Sequence, residues 1–185
     1  MVMGSLPEVL KLDYGDYCRM PNDGKRYEVI DGALHVSPSP ATIHQRISML
    51  LSARLYDHVT REGLGTILAA PMDVLLSQHD IVQPDILLVS NERASIITEK
   101  NIQGAPDLLI EILSEDREHD LVTKRRLYAR HGVREYWVVD PRHKQVLVFR
   151  RPGRARFFQK PAAVKTTLTS ALLPGFALDV RVLWR

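Results

Sequence analysis

Two carboxylates set inside apolar runs are the residues of this chain best suited to chemistry. Asp85 follows Pro84 and opens the run Ile86–Val89, and Glu111 sits between Ile110 and Ile112 in the run Leu108–Leu113. Each run is short enough for a strand. An ionised, unpaired carboxylate is expensive to bury, on the order of several kcal/mol, so each acid needs a partner, a metal or water. Lys124 is the first partner to consider. At ~100° per residue Leu121, Lys124 and Tyr128 share one face of a helix, while Arg126 and Arg130 look elsewhere. Asp85, Glu111 and Lys124 can therefore converge at one edge of a sheet. Two acids beside an amine suit a hard cation and equally suit a structural ion pair. Spacing alone leaves both open.

The surrounding pattern supplies the elements that must position these groups. Arg26–Ile30 and Ala33–Ser37 alternate around Asp31-Gly32, a strong hairpin turn signal. Glu28 lies in the first of these strands and either faces solvent or reaches the site from the other side of Tyr27. Ile43, Ile47, Leu50, Leu51, Leu55 and Val59 recur at helical spacing, so a long amphipathic helix runs to about Glu62, stopped by Gly63 and Gly65. His44, in its first turn, leans into an active site or is simply hydrogen-bonded at the helix start.

GTILAAPMDVLLS reads as a strand interrupted by Pro71, with Asp73 exposed. Gln78–Asp80 then turns the chain into IVQPD, which pairs antiparallel with it. A short helix fits the loop from Asn91 to Ala105. LVTKRRLYARHG is a helix closed by Gly132, and Tyr136–Val139 is a buried strand ended by Asp140-Pro141. Beyond it the pattern is all-β. QVLVFRR and ARFFQK flank Pro152-Gly153 as a hairpin, followed by a strand near Lys165–Leu168 and the terminal strand FALDVRVLW. Residues 1–25 form a short helix and a loop. With 185 residues, 45% of them hydrophobic, the chain suffices for one compact domain. We read it as an extension (1–25), a core (about 26–141) and C-terminal β additions (142–185).

The net charge of +3 and pI of about 9.1 permit an anionic partner without demanding one. A single cysteine, Cys18, gives no disulfide framework, and no signal peptide or membrane span is visible, so a cytoplasmic location is expected. Seven histidines lack a pair at metal-ligand spacing, which argues against zinc. Ser114 lacks the glycine-flanked elbow of a serine hydrolase.

The order hairpin, long helix, strand, strand with Asp85, strand with Glu111, helix with Lys124, strand, hairpin resembles the PD-(D/E)XK, or restriction-endonuclease-like, superfamily. RYEVIDGALHVSP, IVQPDILLV, GAPDLLIEILS, KRRLYARHGVREYWVVDP and LLPGFALDV narrow the resemblance to its Uma-two branch, over about residues 26–180. It implies an α/β fold (an α+β mixed sheet) with a core of helix, three-strand meander, helix and strand, plus N- and C-terminal hairpins. Two departures stand out. Leu113 occupies the usual position of the lysine two residues after the strand acid, and Lys124 resembles that lysine moved to the next helix. Glu115 replaces a frequent proline.

The resemblance implies metal-assisted hydrolysis of DNA phosphodiesters. Asp85 and Glu111 would bind Mg2+, or Mn2+ in its place, with the Ile112 backbone carbonyl as a third oxygen. The ion would activate a water and offset charge on the phosphorane. Lys124 would orient or deprotonate that water or stabilise the transition state, and Glu28 and His44 would extend the shell. A basic footprint for DNA is offered by Arg125, Arg126, Arg150, Arg151, Arg154 and Arg156, with Lys160, Phe157 and Phe158 nearby. A homodimer is a further expectation from the resemblance. The alternatives are an inactive nucleic-acid-binding protein on a nuclease scaffold, and a partner protein whose acids only form ion pairs.

Overall fold

The computed structural model describes residues 10–114 and 117–185, so Glu115 lies outside the described residues. In chain order the elements are α1 (Tyr14–Tyr17), β1 (Arg26–Ile30), β2 (Ala33–Ser37), α2 (Thr42–Glu62), β3 (Gly65–Ala69), β4 (Val74–Ser77), β5 (Asp80–Val82) and β6 (Ile86–Ser90). A 3-10 turn (Asn91–Ile96) and β7 (Ile102–Gln103) lead to β8 (Leu108–Ile112). A π-helical segment (His119–Lys124) runs into α3 (Arg125–His131). There follow β9 (Glu135–Asp140), β10 (Gln145–Arg150), β11 (Ala162–Val164), β12 (Thr167–Ser170), β13 (Leu173–Asp179) and a 3-10 turn (Val180–Trp184).

A mixed six-stranded sheet, ordered β11-β10-β9-β8-β6-β3, is the centre of the fold. β3, β6 and β8 form an antiparallel meander, and β9 joins β8 in parallel after the helical crossover. Alternation splits its side chains between two faces. Ile86, Leu88, Ile110, Trp137 and Val139 meet Ile47, Leu51 and Leu55 of α2 on one side. Leu87, Leu109, Tyr136 and Val138 meet Leu127 and Tyr128 of α3 on the other. Each fully buried aliphatic side chain here contributes about 1.5–3 kcal/mol. Because both faces are covered, these strands read as continuous apolar runs.

The second sheet, β2-β1-β5-β4-β7, packs on the α3 side. Its β1–β2 hairpin turns at Asp31 and Gly32 with φ of 52° and 79°, the conformation that an Asp-Gly turn favours. Arg130 and His131 at the end of α3 bind the adjoining turns. Arg130 reaches Asp31 at 2.8 Å and His131 reaches Asp80 at 3.0 Å. Gly132 ends the helix at φ 91°, a conformation costly for residues with a Cβ.

Several expectations need correction. ARFFQK is a loop, and the partner of β10 is Ala162–Val164, because Phe158 turns inward against Tyr136 and Phe149. The strand expected near Lys165–Leu168 begins at Thr167, and only the FALD part of FALDVRVLW is strand before the chain tightens into the 3-10 turn. Asp73 is partly buried, accepting from Tyr17 Oη at 2.6 Å and Gln83 Nε2 at 2.8 Å. Among the described residues no helix is long and apolar enough to cross a membrane.

Candidate active site

The β6–β8 register, in which Ile86 faces Ile110, brings Asp85 level with Glu111. Asp85 stands just before β6, where the chain crosses from one sheet to the other. Its Oδ2 accepts from the Ile112 backbone N–H at 2.8 Å and contacts His44 Nε2 at 2.9 Å. Its Oδ1 accepts from Arg26 Nη1 at 2.9 Å. His44 thus leans into the site, delivered by the first turn of α2. The Ile112 group that meets Asp85 is its amide.

Glu111 shares the face of Leu109 and Leu113, which looks toward α3. Its Oε1 accepts from Tyr128 Oη at 2.7 Å and Lys124 Nζ at 3.0 Å. Lys124 also lies 3.0 Å from Glu28 Oε1 and 3.9 Å from Asp120 Oδ1. The shared face of Leu121, Lys124 and Tyr128 is therefore present, with Arg126 outside. Glu28 is buried rather than solvated; its Oε1 accepts from the Gln83 N–H at 2.8 Å, and its Oε2 lies 3.5 Å from His119. His119 in turn packs against His35 across 4.5 Å.

The acids respond differently to one environment. Burial opposes ionisation of Asp85, but His44, Arg26 and the Ile112 amide outweigh it and hold the carboxyl at about 2. Burial also opposes ionisation of Glu28, yet Lys124, His119 and the Gln83 amide hold it at about 2. Glu111 is pushed up to about 8 by burial, with Asp85, Asp120 and Glu28 adding to the effect against Lys124. Asp120 rises to about 6, again chiefly through burial. Burial works to lower the Lys124 pKa, but Glu111, Glu28 and Asp120 outweigh it and hold the ammonium well above its usual range.

Four buried carboxylates thus face two fixed cations, Arg26 and Lys124. Burial, with the neighbouring acids adding to it, raises the proton affinity of Glu111 and Asp120. All-oxygen donors with excess negative charge fit a hard divalent cation. Among the described residues no three acids and histidines are gathered as a ready-made cluster for a metal ion. A cation on Asp85 and Glu111 must therefore compete with Arg26 and Lys124.

The six candidate arginines divide. Arg125, Arg126 and Arg156 line a groove of about 410 Å³. Arg154 is exposed. Arg150 lies 3.6 Å from Glu135 and donates to the Thr169 carbonyl. Arg151 is turned inward, donating to the carbonyls of Gly132, Val133, Gly153 and Ala155. Sequence reasoning did not find Arg26, Asp120, His119 or Tyr128 as partners of the site. For Asp120 a signal existed, since it lies four residues before Lys124 and so on the same helical face.

A family model described as Uma2, "putative restriction endonuclease", matches residues 14–181. Among solved structures, a crystal structure titled as a putative nuclease belonging to DUF820 from Anabaena variabilis has the same fold. The TM-score is 0.76 at 21% identity, over 94% of this chain and 97% of that one. No curated protein matches the chain.

Proposed function

We propose, from the premise that the chain belongs to the Uma2 family of putative restriction endonucleases, that it is a metal-dependent endonuclease acting on DNA. Asp85 and Glu111 hold a divalent cation, Mg2+ or in its place Mn2+, with the Ile112 carbonyl available as a further oxygen. When bound, such an ion supplies Lewis-acid stabilisation of charge on the phosphate. Lys124 acts as a fixed positive charge beside the scissile phosphate and orients the attacking water. We assign it the fixed charge in preference to general-base work because three carboxylates around its ammonium raise its proton affinity. Glu28 holds Lys124 in place from the opposite side, and His44 with the Ile112 amide fixes the orientation of Asp85.

The observation that carries this reading is the meeting of Asp85, Glu111 and Lys124, three residues from separate segments, in one buried cluster with excess negative charge. A second reading, a purely structural ion-pair network, is favoured by one feature. Each acid is already matched by a cation or proton donor of the protein, Asp85 by Arg26 and His44, Glu111 by Lys124 and Tyr128. Cleavage of supercoiled plasmid with Mg2+, Mn2+ or EDTA separates the two. The endonuclease reading expects metal-dependent nicking by the wild type, lost in Asp85→Ala and Lys124→Ala proteins that remain folded by circular dichroism. Absence of wild-type cleavage on duplex, single-stranded and branched DNA would favour the ion-pair network.

A further inference from the structure

The loop after β10 is anchored for reasons unrelated to its charge. Arg151 donates to the Val133 carbonyl at 3.0 Å and the Gly132 carbonyl at 2.9 Å, tying the loop to the end of α3. Phe158 packs against Tyr136 and Phe149, with ring centroids 6.1 Å from each. Between these two anchors Phe157 faces outward and is 66% exposed. Arg125 and Arg126 from α3 and Arg156 and Lys160 from the loop line the same groove, and no carboxylate lines it. Arg125 is itself placed by the Phe149 ring, 5.6 Å from its guanidinium.

An exposed phenylalanine forgoes the stabilisation of burial, about 1.5–3 kcal/mol, and four like charges in one groove repel each other. Single-stranded nucleic acid complements both features at once, offering π-faces to the ring and phosphates to the cations. Duplex DNA offers only the phosphates. In the chain, α3 follows directly on Lys124 and carries Arg125 and Arg126.

We propose that this groove binds single-stranded DNA, with one base stacked on Phe157 and neighbouring phosphates held by Arg125, Arg126, Arg156 and Lys160. The choice of DNA rests on the endonuclease reading, which it deepens by assigning the substrate an unpaired stretch.

The test is fluorescence anisotropy with labelled oligothymidylate and a duplex of equal length, in EDTA so that cleavage plays no part. The wild type is expected to prefer the single strand, with a salt slope of roughly −2.8 for four phosphate contacts. Phe157→Ala should weaken single-strand binding about tenfold while changing duplex binding less than twofold. Arg156→Ala should flatten the single-strand slope by about 0.7. Phe157→Trp should keep the affinity and show emission that the oligonucleotide quenches by stacking. Single-strand affinity unchanged within twofold in Phe157→Ala, or equal loss from both DNA forms, would overturn the proposal. A wild type that binds this way yet never cuts would instead sink the endonuclease reading and leave the groove standing.

Discussion

Replacing Lys124 by alanine removes a cation that touches three buried carboxylates. Glu28 and Glu111 each lie 3.0 Å from its ammonium and Asp120 lies 3.9 Å away. Removing one partner of a buried pair costs about 3–5 kcal/mol, because the other charge stays behind without compensation. The cost must depend on pH, since the stranded acids can shed their charge by taking protons. Glu111, at about 8, and Asp120, at about 6, are already close to doing so. Glu28, at about 2, depends on Lys124 most.

Without the lysine the folded-state pKa of Glu111 rises further above its unfolded value, and that of Glu28, now held below its unfolded value chiefly by Lys124, rises past it because burial is left unopposed. The folded variant then binds more protons than its unfolded chain, so its stability falls as pH rises. We expect a deficit of about 3–5 kcal/mol at pH 8.5 by urea unfolding, shrinking toward pH 5. In thermal melts at the higher pH that is a drop of roughly 6–20 °C for a chain of this size. Adding Glu28→Gln to Lys124→Ala should recover about 0.5–3 kcal/mol as a coupling energy. A deficit below about 1 kcal/mol, or one constant between pH 5 and 8.5, would refute the picture of a lysine holding uncompensated acids in place.

Two further outcomes follow from neighbouring contacts. Tyr128→Phe deletes the 2.7 Å hydrogen bond to buried Glu111 and should cost about 1.5–3 kcal/mol in urea unfolding; no loss would mean that Glu111 finds another donor. Asp80 and Asp140 are held below the ordinary carboxylate range despite burial, by His131 and the Asp31 amide for Asp80 and by Arg117 and His143 for Asp140. Their contribution is present above the unfolded pKa and lost as pH falls through the folded values. Wild-type stability should therefore decline below about pH 4, and less steeply in Asp80→Asn. An equally steep decline in that variant would remove Asp80 from the account.

The meander and the convergence of Glu111 with Lys124 were legible in the sequence because both rest on local signals. The Asp31-Gly32 turn, the periodicity of α2 and acids set within apolar strands each draw their meaning from near neighbours. What stayed hidden depended on distance. From sequence Glu28 is open between solvent and the site, and only Lys124, His119 and the Gln83 amide decide it; Asp73 reads as exposed although Tyr17, 56 residues away, bonds to it. Arg26 meets Asp85 across 59 residues. Asp120 was missed because the polar stretch before Leu121 shows no apolar face, although the helix already runs through it. ARFFQK imitates a strand by mixing arginine with aromatic residues, but an inward Phe158 stabilises the loop better than alternation stabilises a strand.

The most direct measurement is calorimetric titration of Mn2+ into the metal-free protein at pH 7, repeated in buffers of different ionisation enthalpy. With the Glu111 pKa raised by burial, the account predicts saturable binding accompanied by proton release. Both should be lost in Asp85→Asn and Glu111→Gln. Absence of binding to the wild type, or binding that both substitutions leave intact, would contradict the assignment of these two acids to a cation.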